Sequence, residues 1–149
     1  MMQSDEFYMK KAYLEAKKAF KRGEVPVGAV IVDENGEILA TGYNKKEEKN
    51  DPSLHAEVVA IRKACAKRNN WRLNNCKIYV TLEPCLMCSS LIFQSNIKEI
   101  IVGLKREPKN EPVLSDLLDY AFEHQISVKY LSSAGFLKKM MEKFFQKNR

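Results

Sequence analysis

Residues 99–104 read Glu-Ile-Ile-Val-Gly-Leu, an apolar run without the alternation that marks a strand wet on one side. Such a strand is buried on both faces, so the chain must supply helices to cover both. The segments around it do. Ser4 can cap a first helix, Asp5 and Glu6 suit the positive end of its dipole, and Gly23 ends it. Phe7, Ala12, Ala16, Ala19 and Phe20 give that helix an apolar face. "VGAVIVDENGEILATGY" is expected to form a hairpin, with β-branched residues on one arm and a turn at Asn35-Gly36. The charged stretch from Lys45 to Asp51, closed by Pro52, is expected as a surface loop.

A second helix is expected from His55 to Arg68, then a strand "CKIYVTL". A third helix should start with Pro84 at its first position and run to about Ser95. Beyond 99–104 come a polar, proline-bearing connection from Lys105 to Pro112, a helix near Ser115 to Phe122, a strand "ISVKYL", and an amphipathic helix from about Ala134 to Lys147. No internal repeat or linker divides the 149 residues, so 1–149 is expected to be one domain. The order α-β-β-α-β-α-β-α-β-α predicts an α/β fold with a central mixed sheet between helices.

A chain of this size can bury a core without disulfide staples, which frees its four cysteines for other uses. The amino terminus, with acids near its start and no apolar run, is wrong for a signal peptide, and no stretch approaches membrane-spanning length. A cytoplasmic location is therefore expected, where thiols are free, catalytic or metal-bound. The net charge of +6 is compatible with a polyanionic partner.

The chemistry concentrates at two helix starts. Cys85 and Cys88, in "TLEPCLMC", are three residues apart at the head of a helix, where unpaired N–H groups favour thiolates. Zinc needs a further ligand, and His55 in "LHAEVVA" can supply it from the other start. One His and two Cys leave a fourth tetrahedral position open, the arrangement of a catalytic zinc site with bound water. Glu57, two residues from His55, can then move that water's proton to a leaving group. Either motif alone is weak, since "HAE" is also an ordinary helix start and PCxxC also a cap with a buried thiol. Cys65 and Cys76 have no partner at ligand spacing and are read as small buried apolar residues.

An HxE followed by PCxxC is the zinc deaminase signature. The chain resembles bacterial tRNA-specific adenosine deaminases in "EVPVGAVIV", "GYN", "DPSLHAEVVAIRKA", "NWRL", "YVTLEPCLMC" and a terminal "FF" before basic residues, in the same order over nearly the whole length. The resemblance implies a cytidine-deaminase-like three-layer α/β/α fold with a five-stranded mixed sheet. It implies one zinc per chain on His55, Cys85 and Cys88, and a homodimer. Glu57 would shuttle protons, Asn44 would contact the nucleoside, and Val27, Gly28 and Pro84 would belong to the substrate pocket. The implied reaction is hydrolysis of adenosine to inosine at the wobble position of the tRNA anticodon loop.

One segment departs from that family. Its tRNA enzymes usually continue, after the fourth strand, with an acidic residue and a glycine-rich stretch; here the sequence is "GLKREPKNEPVLSD", with Arg106 near the place of the expected Asp and with Pro108 and Pro112 in place of the flexible glycines. The alternative is a deaminase of a free base or nucleoside of cytosine or guanine type. Those relatives often carry Phe at the place of Val27 and usually lack "NWRL". A noncatalytic zinc module is a third reading, opposed by Glu57, for which a structural site has no use. On the closing helix Lys139, Lys143 and Lys147 recur every four residues opposite Leu137, Met140, Met141 and Phe144. That stripe, with Arg149, is either a solvated face or a track for RNA phosphates.

Overall fold

In the computed structural model, which describes residues 1–107, 111–132 and 135–147, Ser4 Oγ accepts the Phe7 N–H at 3.1 Å. Helix α1 runs Asp5–Lys21, and Gly23 follows at φ 74°, the left-handed conformation that glycine adopts most readily at a helix end. The hairpin forms as expected from β1 (Gly28–Val32) and β2 (Ile38–Tyr43). Its turn is shaped by Asp33, whose Oδ1 accepts the N–H groups of Asn35 and Glu37, and by Gly36 at φ 82°.

The remaining elements are α2 (Lys46–Lys49), α3 (Ala56–Arg68), β3 (Lys77–Leu82), α4 (Leu86–Gln94), β4 (Glu99–Leu104), a 3-10 turn (Leu114–Leu117), α5 (Leu118–Glu123), β5 (Ser127–Tyr130) and α6 (Gly135–Lys147). The strands lie in the order β2-β1-β3-β4-β5. β1 is antiparallel to both β2 and β3, whereas β3, β4 and β5 run parallel, so the mixed five-stranded sheet is borne out. Among the described residues no helix is long and apolar enough to cross a membrane.

β4 occupies the interior of the sheet, and Ile100, Ile101 and Val102 are all buried. Ile100 and Val102 join Ala29, Ile31, Ile78 and Val80 in a core closed by Ala56, Ala60 and Ala64 of α3 and Ile92 of α4. Ile101 faces the other way, with Val30, Val32 and Tyr79, against Tyr8, Met9 and Ala12 of α1. Each such aliphatic side chain is worth about 1.5–3 kcal/mol over exposure, and the alternation divides this stabilisation between two faces.

Two glycines set how closely the layers approach. A Cβ on Gly28 would stand 2.0 Å from the Ala12 carbonyl oxygen in α1, and one on Gly42 would stand 2.5 Å from that of Ala56 in α3. Neither helix could lie where it does over a larger residue.

Several boundaries differ from expectation. The loop from Lys45 to Asp51 contains α2, because the buried carboxylate of Glu24 accepts the N–H groups of Glu47 and Glu48 at 3.1 and 2.8 Å. Pro84 is not the first helical residue: Cys85 is the N-cap of α4 in extended conformation, and the helix begins at Leu86. The helix expected near Ser115 opens as a 3-10 turn and becomes α-helical only from Leu118. Phe7 is 39% exposed, since the buried face of α1 passes through Tyr8, Ala12, Ala16 and Ala19. Cys76 is buried as expected, but Cys65 is half-buried, its Sγ 3.6 Å from the Trp71 carbonyl oxygen.

Candidate active site

His55 and Cys85 are both N-cap residues, of α3 and α4, and neither spends its side chain on capping. At α3 the cap comes from outside. Asn44 Oδ1 accepts the Ala56 N–H at 2.7 Å while its Nδ2 donates to the Val25 carbonyl at 2.9 Å. Imidazole and thiols are thereby left to face one another. His55 Nδ1 lies 3.7 Å from Cys85 Sγ and 3.5 Å from Cys88 Sγ, and the three donor atoms lie within 4.8 Å of one another.

These separations can be tested against zinc. Nitrogen at about 2.1 Å and sulfur at about 2.3 Å on a tetrahedral zinc stand about 3.6 Å apart. The observed distances straddle that value, and two thiols with one imidazole are donors that zinc prefers over harder cations. Residues His55, Cys85 and Cys88 fit the ion and leave one coordination position free.

The thiols share a proton unequally. Cys88 hydrogen-bonds to Cys85, which, with help from His55 and against the effect of burial, holds Cys85 well below the ordinary thiol range. The same bond, burial and the nearby Glu57 push Cys88 up. Glu57, 3% exposed in the first turn of α3, has its carboxyl raised above the usual carboxylate range by burial, while its own backbone, His55 and Arg106 oppose the rise. A carboxyl poised this way beside two thiols is suited to taking up and giving back protons.

The other anticipated residues are placed as follows. Val27 is buried in the same core as Ala56 and Ala60. Gly28 lends its clearance to α1 rather than to the donors, and its N–H donates to Thr81 Oγ1 at 3.0 Å. Pro84 is buried, with its carbonyl accepting the Leu114 N–H at 3.0 Å. Lys139, Lys143 and Lys147 are exposed on α6, opposite the buried Leu137 and Phe144. Lys139 and Lys143 border a groove of about 650 Å³ that Lys17 and Lys21 of α1 border too. Arg149, like Pro108 and Lys109 of the divergent connection, lies outside the described residues.

Sequence reasoning missed Glu83. It is 0% exposed, and its carboxylate accepts the N–H groups of Arg106 at 3.0 Å and Ser115 at 2.7 Å and the Tyr130 hydroxyl at 3.1 Å. Burial and this carboxylate push the Tyr130 hydroxyl up. The available signal was an acid wedged between an apolar strand and a proline, where solvent has little access.

Fold and donors together define a zinc-dependent deaminase. The chain belongs to the cytidine and deoxycytidylate deaminase family, whose zinc-binding region matches residues 2–104, and it is a hydrolytic enzyme of that family. More particularly, it is similar to the tRNA-specific adenosine deaminase of Aquifex aeolicus (strain VF5), 40% identical over 148 residues that make up 97% of this chain and 95% of that protein. A solved structure from a study of A-to-I editing by tRNA:A34 deaminases at the wobble position of transfer RNA matches with TM-score 0.79 and 30% identity, covering 90% of this chain and 98% of that one. Guanine deaminase from Bacillus subtilis matches with TM-score 0.66 and 32% identity, over 84% of this chain and 72% of that one.

Proposed function

We propose that this protein, acting as one deaminase domain over 1–149, converts adenosine to inosine at the wobble position of a tRNA anticodon loop. The observation that carries the substrate is the end-to-end likeness to the Aquifex aeolicus tRNA-specific adenosine deaminase, at 40% identity over 97% of the chain. His55, Cys85 and Cys88 would hold one zinc ion, which when bound supplies a Lewis acid that acidifies water.

Glu57 is the catalytic residue of the chain itself. Its carboxylate takes a proton as the oxygen nucleophile forms and passes protons to the purine ring nitrogen and to the departing amine. A C6–O bond forms, the C6–N bond breaks, and ammonia leaves. Asn44 retains one amide hydrogen beyond its bond to Val25, which can meet the nucleoside, while Val27, Pro84 and the backbone of Gly28 border the base. Lys139, Lys143 and Lys147 follow stem phosphates, and Arg149 belongs with them by sequence. The protein works in the cytoplasm as a homodimer; Leu86 and Met87, 44% and 41% exposed at the start of α4, are apolar residues that a second copy would cover.

The test measures inosine formation in an anticodon stem-loop RNA alongside zinc content. Wild type is active, Glu57→Ala keeps zinc and loses about 10²–10⁴-fold in turnover, and Cys88→Ala loses both metal and activity. Rapid deamination of guanine or cytosine with none of the RNA would instead assign the protein to free bases.

A further inference from the structure

Arg106 follows β4 at the edge of the sheet where the metal donors lie. It is fastened twice to the residue that precedes Pro84 and Cys85: its backbone N–H donates to Glu83 Oε1 at 3.0 Å, and its side-chain Nε donates to the Glu83 carbonyl at 2.7 Å. Glu83 is itself buried and fully hydrogen-bonded. Its N–H donates to the Leu104 carbonyl at 2.8 Å, and its carboxylate is filled by Arg106, Ser115 and Tyr130. These bonds use Nε of the guanidinium and leave both terminal nitrogens. Among the described residues, no carboxylate lies within ion-pair distance of Arg106. The bond from Nε keeps the guanidinium beside the short segment that carries β3 into the metal donor Cys85.

A half-buried cation, held in orientation but not matched by an anion, is prepared for one from outside. The two terminal nitrogens of a guanidinium form a planar fork that fits phosphate oxygens. We propose that Arg106 is a specificity-determining residue that binds a backbone phosphate beside the target adenosine through its two terminal nitrogens. The proposal rests on tRNA being the substrate, and it explains how the connection that departs from the family pattern can serve an RNA. A free base carries no phosphate for this fork, so Arg106 favours a nucleotide embedded in a phosphodiester chain.

The test compares zinc-loaded wild type, Arg106→Gln and Arg106→Lys on a stem-loop RNA and on the same RNA with uncharged methylphosphonates at the two linkages flanking the adenosine. For wild type, the neutral linkages should raise KM roughly tenfold, the factor given by losing one charge-assisted hydrogen bond. Arg106→Gln should raise KM on the native RNA by a similar factor and show no further rise on the neutral RNA. Arg106→Lys should fall between and stay sensitive to the linkages. Multiplying effects of mutation and linkage, or a lower kcat at constant KM, would overturn the proposal in favour of an action on Glu57 alone. Should Arg106→Gln fail to fold, indifference of wild type to the neutral linkages would overturn it unaided. A wild type inert on RNA but active on free bases would instead bring down the tRNA reading, and this proposal with it.

Discussion

Two connections border the metal donors, and each is tied down by a buried glutamate, yet they end in different conditions. Between β2 and α3, Glu24 accepts the Glu47 and Glu48 N–H groups, the chain closes into α2, and Asn44 joins Val25 to the first turn of α3. Between β4 and the 3-10 turn, Glu83 accepts the Arg106 and Ser115 N–H groups, but the side chain of Arg106 brings a positive charge with no carboxylate against it among the described residues. The first connection completes its own hydrogen bonding and holds a metal donor in place. The second uses the same device to present a charge. A buried carboxylate can therefore fix a loop without deciding what the loop is for, and the purpose is read from what remains unmatched.

The contrast can be broken by mutation. Glu83→Ala should have the largest effect, because three donors lose their acceptor at a site that is 0% exposed. At about 1–3 kcal/mol per orphaned buried group, a loss of about 3 kcal/mol or more is expected in urea unfolding. Glu24→Ala strands only two N–H groups, both on exposed residues, and should cost about 2 kcal/mol in the same measurement. Equal losses for the two would show that the connections are not built differently. Asn44→Ala, which removes a helix cap and the donor to the Val25 carbonyl, should cost about 1–2 kcal/mol, no more than Glu24→Ala. It should nonetheless weaken zinc in competition with a chromophoric chelator more than Glu24→Ala does, since the N–H it releases belongs to the residue after His55. A zinc affinity unchanged in Asn44→Ala would separate the cap from the metal.

What the sequence disclosed and what it concealed follow from distance along the chain. Cys85 and Cys88 share one turn, and β4 is a single apolar run, so neighbouring residues suffice to read them. The link to His55 spans 30 residues, but the donor chemistry of the three residues supplied it. Glu24 and Glu83 gave no such cue. Their partners lie 23 to 47 residues away, and a glutamate met in a sequence is ordinarily assigned to water. The same blindness to distant acceptors hid α2, which exists because Glu24 reaches across to it. Residue types signal a helix start, but not which position takes the cap, and the expectation for Pro84 stands two positions too far into its helix.

Gly42 lies well outside the pocket, yet it acts on the metal as a shim acts on a machine. Because a bare hydrogen faces the carbonyl of Ala56, helix α3 settles onto β2 to a depth that no other residue would allow, and His55 descends with it. The separations of 3.5 and 3.7 Å across the donors thus take their tolerance from a contact beneath the helix. In descendants of this chain, a drift in metal preference could begin at position 42 with every ligand intact.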